Sequence, residues 1–196
     1  MSTKERILEE ALTLFAERGY DGTGVDLIAE RVGIKGPSLY KHFKGKEDIM
    51  NSLIDAAEAR YEEYFGSEDH IGDLPESAEE FVQMTLKKIK FTMHDPMIRK
   101  IRIFLVQEQF RSERLADITT RHQLFGIRRM YARILEKMME KGLVIEDDPM
   151  LLAIEVTAPV VLMISRLDRQ PGCEEEVMKD IEEHVRHFCK VYMKHD

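Results

Sequence analysis

The sequence has no tryptophan, two cysteines and six prolines among 196 residues. Cys173 and Cys189 stand without metal-ligand or disulfide-framework spacing, which argues against a zinc module or a stapled secreted fold and for reduced thiols. A long hydrophobic run is also missing. The most apolar stretch, MLLAIEVTAPVVLMI (Met150–Ile164), is fifteen residues long and holds Glu155 and Pro159, so it is short for a bilayer and suits a buried helix. The opening MSTKERILEEAL meets charge too early for a signal peptide. A cytoplasmic protein with no membrane partner is therefore expected. No glycine-rich phosphate loop and no G-x-S-x-G elbow occurs, and no nucleophile or acid/base constellation stands out. Enzymatic activity, a cofactor and a metal are not expected. Strand-type alternation is absent as well, so the fold class is all-α.

Apolar residues make up 43% of the chain and charged residues 34%, enough for a soluble protein with a sizeable core. The net charge is −8, unevenly spread: residues 1–50 carry 8 basic and 9 acidic side chains. Within that part, RVGIKGPSLYKHFKGK (Arg31–Lys46) has five basic residues and no acid. An anionic polymer meets the local field before the net charge.

About nine helices are expected. The first starts near Ser2–Glu5, a possible capping box, and carries Ile7, Leu8, Ala11, Leu12 and Phe15 at helical spacing before Gly19 stops it. A short second helix begins at Thr23 or Gly24, turns Val25, Ile28, Ala29 and Val32 inward and closes at Gly33. The third is opened by Pro37, which fits a first helical turn, and runs to His42 or Phe43. The fourth starts near Lys46 and reaches Phe65. GSEDHIGDLP (66–75) reads as a linker. Further helices are expected over 76–94, 96–111, 112–141 (with a break near Thr119–Thr120 or Gly126), 149–168 and 173–194.

Two short helices joined by a glycine-containing turn are a helix-turn-helix, here about residues 24–43, whose second helix enters the major groove of DNA. Ile28, Ala29, Leu39 and Phe43 can form its backing, and Lys35, Ser38, Tyr40, Lys41 and His42 its front. Lys46 opens the next helix, where an ammonium and main-chain N–H groups both attract phosphate.

The stretch Ile7–Ile49, with LFAERGYDGT, IAERVGI and SLYKHFKGKEDI, resembles the N-terminal DNA-binding domain of TetR-family transcriptional regulators. The resemblance implies a homodimeric all-α repressor with a DNA-binding domain over 1–62 and a ligand-binding and dimerisation domain over 63–196. It implies groove or base-edge contacts for Ser38 and Lys41, and phosphate contacts for Tyr40, His42 and Lys46. Lys35, Gly36 and Pro37 would form the groove-facing start of the helix. Two positions depart from the family pattern. Gly24 stands where a phosphate-reaching hydroxyl is common, and Asp26 where a base is common. Asp26 then either caps its own helix or faces DNA, where it repels phosphate or accepts from cytosine.

Twelve methionines, most beyond residue 83, suit a core or an adaptable surface for apolar guests. With the resemblance they point to a small-molecule effector held by Met93, Phe104, Gln107, Phe110, His122, Phe125 and Met163. His184 and His187 share a helix face, but Cys189 points away from them, so the group reads as a solvated or interface helix. The helix over 151–167 is apolar nearly all round, and the last carries Val177, Ile181, Val185, Phe188 and Tyr192 on one stripe. Two such helices from each subunit would close a four-helix bundle across a two-fold axis. The expected partners are double-stranded operator DNA, a small effector and a second copy of the chain. A helical enzyme or carrier, and a DNA-binding dimer without an inducer, are the alternatives.

Overall fold

The computed structural model describes residues 1–66, 74–111 and 113–194. Most of the 66–75 linker, and Ser112 as the start of the seventh helix, lie outside them. The helices are α1 (Thr3–Arg18), α2 (Val25–Val32), α3 (Gly36–Leu39), α4 (Lys46–Phe65), α5 (Ala78–His94), α6 (Pro96–Glu108), α7 (Glu113–Thr120), α8 (Ile127–Glu140), α9 (Pro149–Arg169) and α10 (Glu174–Tyr192). A π-helical turn, Arg121–Gly126, joins α7 to α8, so the described residues form nine rods, all-α as the sequence implied. Extended pairing among them is limited to one isolated bridge between Val144 and Met193.

Local chemistry sets most helix ends. Ser2 and Glu5 close the capping box on α1: the Glu5 N–H donates to Ser2 Oγ at 3.2 Å, and the Ser2 N–H to Glu5 Oε2 at 2.7 Å. Asp95 and Asp148 cap α6 and α9, each accepting two N–H groups ahead of a proline in the first turn. Burial pushes the Asp95 carboxyl up, but Arg60 and the Ile98 and Met97 N–H groups outweigh that and hold it below the usual range. The π-turn falls where the sequence suggested a break. A side chain at Gly126 would stand 3.3 Å from the Arg121 carbonyl, so a larger residue would crowd the widened turn.

Two compact units result. The first joins Met1–Tyr64 to His94–Thr119, so α6 and α7 gather with the N-terminal helices. At its centre Phe15 stacks on Phe104 with ring centres 5.4 Å apart. The second unit joins Phe65–Met93 to Thr120–Asp196. Phe81, Tyr131, Leu135, Met138, Val177, Ile181, Val185 and Phe188 are buried in its core. At 21 residues α9 exceeds the fifteen-residue apolar stretch, and by length and composition alone it could cross a membrane. Leu152, Ala153, Val156, Val160 and Ile164 turn one of its sides into the unit's core. Both thiols are free, and burial pushes Cys189 up to about 11, which keeps it unreactive at neutral pH.

Lys88 on α5 is half-buried, its ammonium 4.6 Å from the centre of the Phe65 ring. Burial pushes its pKa from 10.5 down to about 8, and neighbouring Lys87 adds to the effect. The unfolded chain keeps this proton to higher pH than the folded one, so stability rises with pH between about 8 and 10.5. Lys88→Met keeps the packing volume and the aromatic contact. It is expected to raise the melting temperature at pH 7 by roughly 2–6 °C, a gain that shrinks towards pH 10. Thermal circular dichroism at the two pH values checks this, and a lowered melting temperature at pH 7 would contradict it.

Candidate nucleic-acid interface

The helix-turn-helix is built from the turn outwards. Gly33 takes a left-handed conformation, φ 75° and ψ 31°, which spares a side chain the steric cost of ending α2 there. Its N–H donates to Glu30 O at 3.0 Å and the Ile34 N–H to Ala29 O at 2.9 Å, which folds the chain back sharply. Lys35 then caps α3 with extended backbone, and Pro37 sits in the first turn. The regular helix is shorter than the expected 37–43. From Tyr40 the winding tightens: the Lys41 N–H donates to Ser38 O at 3.4 Å and the His42 N–H to Leu39 O at 2.9 Å. The Phe43 N–H still reaches Leu39 O at 3.1 Å, so the coil continues to Phe43 in a different form.

This winding separates front from back. Leu39 and Phe43 are buried, with Ile28, Ala29 and Val32 behind them. Tyr40 is 57% exposed. Lys35, Pro37, Lys41 and His42 are also exposed, and Gly36 and Ser38 half-buried. The backing residues are buried as the sequence suggested, and of the frontal side chains all but half-buried Ser38 are exposed.

The charges sort differently from a count of bases. Arg31 faces α1, its Nε 3.3 Å from Glu10 and its Nη2 3.9 Å from Glu17. Lys46 is half-buried: its Nζ donates to Tyr20 O at 2.8 Å and lies 4.0 Å from the Tyr20 ring centre. Its ammonium is thus held by the α1–α2 turn, with two N–H donors left over. At the start of α4, Asp48 accepts the Lys44 N–H at 2.8 Å. Lys4 lies 5.5 Å from the Phe43 ring, which adds an exposed base to the back edge of the motif. No motif spacing links Lys4 to Phe43; only the fold brings them together.

The two departures are also placed. Gly24 caps α2 with extended backbone and no side-chain bond. Asp26 lies in the first turn of α2, and its Oδ1 would be 3.2 Å from a Cβ at Gly36, so the carboxylate lies over the start of α3.

The seven effector candidates divide between the two units: Phe104, Gln107 and Phe110 belong to the first, and Met93, His122, Phe125 and Met163 to the second. Phe104 is buried in the first unit and stacked on Phe15. Gln107 is exposed on the same helix, and Phe110 is 92% exposed. Met93 is buried in the core of the second unit, and Met163 is half-buried at its edge. His122 and Phe125 lie in the π-turn, His122 half-buried and Phe125 outward. The apolar stripe of α10 is likewise not a free surface, because Val177, Ile181, Val185 and Phe188 fill the core of their own unit. The exposed apolar face is instead on α9, at Leu151, Ile154 and Leu162, with Val191 exposed on α10.

Comparison with known proteins follows the same geometry. Residues 7–53 match the family model of bacterial regulatory proteins, tetR family. Over 51 residues the chain is 54% identical to IcaR of Staphylococcus aureus, the HTH-type negative transcriptional regulator of the biofilm operon icaADBC. That match covers 26% of this chain and 27% of the relative, so it spans about a quarter of each protein. Among solved structures, the chain resembles the SmeT–triclosan complex with a TM-score of 0.73, 21% identity, and coverage of 99% of this chain and 93% of that one. SmeT is the repressor of the Stenotrophomonas maltophilia multidrug efflux pump SmeDEF. This chain also resembles the fatty acid degradation regulator FadR of Bacillus halodurans, with a TM-score of 0.72, 20% identity, and coverage of 96% of this chain and 95% of that one. At such identities the structural likeness establishes the fold.

Proposed function

We propose, from the premise that residues 7–53 belong to the tetR family of bacterial regulatory proteins, that this chain is a homodimeric transcriptional repressor that an effector releases from operator DNA. Residues 1–62 would be the DNA-binding domain and 63–196 the ligand-binding and dimerisation domain, in a cytoplasmic protein. One observation carries the DNA-binding part. Tyr40, Lys41 and His42 are exposed together while Leu39 and Phe43 anchor the same short coil from behind. That is what a groove-entering helix needs: a rigid back and a polar, basic front. Ser38 and Lys41 are then the groove contacts, Tyr40, His42 and Lys46 the phosphate contacts, and Lys35, Gly36 and Pro37 the approach. The repressor reading is supported by the name of the staphylococcal relative, whose identity to this chain falls in this part.

An apolar or amphipathic small molecule is the effector class. Half-buried Met84, Met130, Met139 and Met163 pack at the edge of the second unit's core, where a soft side chain adapts to variable guests. The helix α4 carries the chain from Lys46 in the first unit to Phe65 in the second. An effector that favours one setting of α4 changes DNA affinity by its differential affinity for the two settings, and by no more.

The test is titration of the upstream intergenic DNA at several salt concentrations. The logarithm of affinity should fall linearly with the logarithm of salt. Lys46→Ala should flatten that slope by about one unit, while Ser38→Ala or Lys41→Ala should change sequence preference. Binding indifferent to salt would reject the proposal.

A further inference from the structure

Glu108 is 2% exposed, an uncommon place for a carboxylate. It is the last residue of α6 and far in sequence from the helix-turn-helix, yet in the same compact unit. Its Oε1 accepts the Tyr20 N–H at 3.2 Å. The approach is so close that a Cβ at Gly19 would stand 2.7 Å from that oxygen, and Gly19 itself has φ 72°. The other oxygen lies 3.2 Å from Arg111 Nε, and the Arg111 Nη1 donates to Asp21 at 2.9 Å. Glu108 at the end of α6 and Arg111 just beyond it therefore hold Tyr20 and Asp21 of the α1–α2 turn by hydrogen bonds, with Glu108 lying close over Gly19.

The opposite side of that turn holds Lys46, a phosphate contact in the DNA-binding reading. The Tyr20 carbonyl accepts the Lys46 ammonium at 2.8 Å, and the Tyr20 ring lies beneath it. One peptide segment is thus fixed at its N–H by Glu108 and fixes Lys46 with its C=O. An aromatic path runs alongside: Tyr20 stands 5.5 Å from Phe15, which stacks on Phe104, one turn before Glu108 on α6. We infer that Glu108 is a positioning residue for DNA binding: it sets the α1–α2 turn, and through Tyr20 the place of the Lys46 ammonium, without touching DNA itself. The inference rests on the DNA-binding reading above. A buried carboxylate costs free energy unless fully partnered, and here its partners are the turn and Arg111, so the turn is held by a group that has nowhere else to go.

The test measures the affinity of the full chain for a random-sequence duplex of about three helical turns, because a phosphate contact acts on every sequence. The proteins are the parent, Glu108→Ala, Glu108→Asp, Glu108→Gln and Lys46→Ala, with each Glu108 variant also made in the Lys46→Ala background. Glu108→Ala and the shorter Glu108→Asp should each lose affinity about as Lys46→Ala does, roughly 3–10-fold, with a salt slope about one unit flatter. Glu108→Gln keeps the reach and an acceptor for the Tyr20 N–H, and should restore most of the affinity. In the Lys46→Ala background all three should bind alike, since the group they position is gone. A loss that is the same in both backgrounds would mean Glu108 acts through the fold alone and would overturn the inference, as would parent-like binding by Glu108→Asp. If Glu108→Ala does not fold, the contrast of Asp with Gln decides. A parent protein without salt-dependent duplex binding would overturn the DNA-binding reading first, and this one with it.

Discussion

Leu162→Glu is expected to turn the dimer into a monomer and to lower operator affinity by about 10²–10⁴-fold. Leu162 is 68% exposed on the outer face of α9, and Leu151, 48% exposed, lies on the same stripe with Ile154. Large apolar side chains left in water along one helix face are costly and point to a covering surface. A second copy of the chain meets the need most simply, because a two-fold axis makes one patch cover itself. The same symmetry doubles the damage: one substitution buries two carboxylates without partners. A monomer loses the second recognition helix, and with it the gain from binding two half-sites roughly 34–36 Å or a multiple apart at high effective concentration. Leu162 is outside the core, so circular dichroism should be unchanged. Sedimentation and an operator titration read the result, and a variant that stays dimeric would remove α9 from the interface.

That surface also shows where sequence reasoning ran short. Helical periodicity says that a face is covered, but not by what. The α10 stripe of Val177, Ile181, Val185, Phe188 and Tyr192 suits a four-helix bundle between subunits, yet its first four members fill the core of their own unit and Tyr192 is half-buried. Local signals carried much further, because caps and turns depend on residues a few positions apart. Ser2 with Glu5, Gly33, Pro37, and the two aspartate–proline pairs all ended or began helices where their chemistry demands. The expected site splits along the same line. Leu39 and Phe43 behind, with Tyr40, Lys41 and His42 in front, follow from spacing within one turn. The capture of Lys46 by Tyr20, the pairing of Arg31 with α1 and the burial of Glu108 are contacts over 14 to 88 residues of sequence, which no local pattern encodes. Phe104 is ambiguous for a related reason: an aromatic on an amphipathic helix looks the same in sequence whether it lines a pocket or packs, as this one does, against Phe15.

Phe15→Ala is expected to destabilise the first unit by about 3–5 kcal/mol. Phe15 is fully buried, and its ring sits between Phe104 on α6 and Tyr20 on the α1–α2 turn. Truncation removes the area the ring buries, forfeits two aromatic contacts, and leaves a cavity between elements distant in sequence that collapse only in part. Against a typical domain stability of about 5–15 kcal/mol the loss is large, and the melting temperature should fall by roughly 6–20 °C. Urea denaturation followed by circular dichroism measures it, and a loss below about 1 kcal/mol would show that the ring is not central to the unit. The same change reaches function. At a temperature where the variant is still folded, Tyr20 has lost its support, so the Lys46 ammonium resting on it should be less well held. Affinity for any duplex should then fall with a flattened salt slope, whereas sequence preference, set by Ser38 and Lys41 on α3 and the coil that follows it, should be kept. Phe15→Leu, which fills much of the cavity, should recover most of the stability and most of the affinity together. Recovery of stability without affinity would separate the aromatic support of Tyr20 from simple packing.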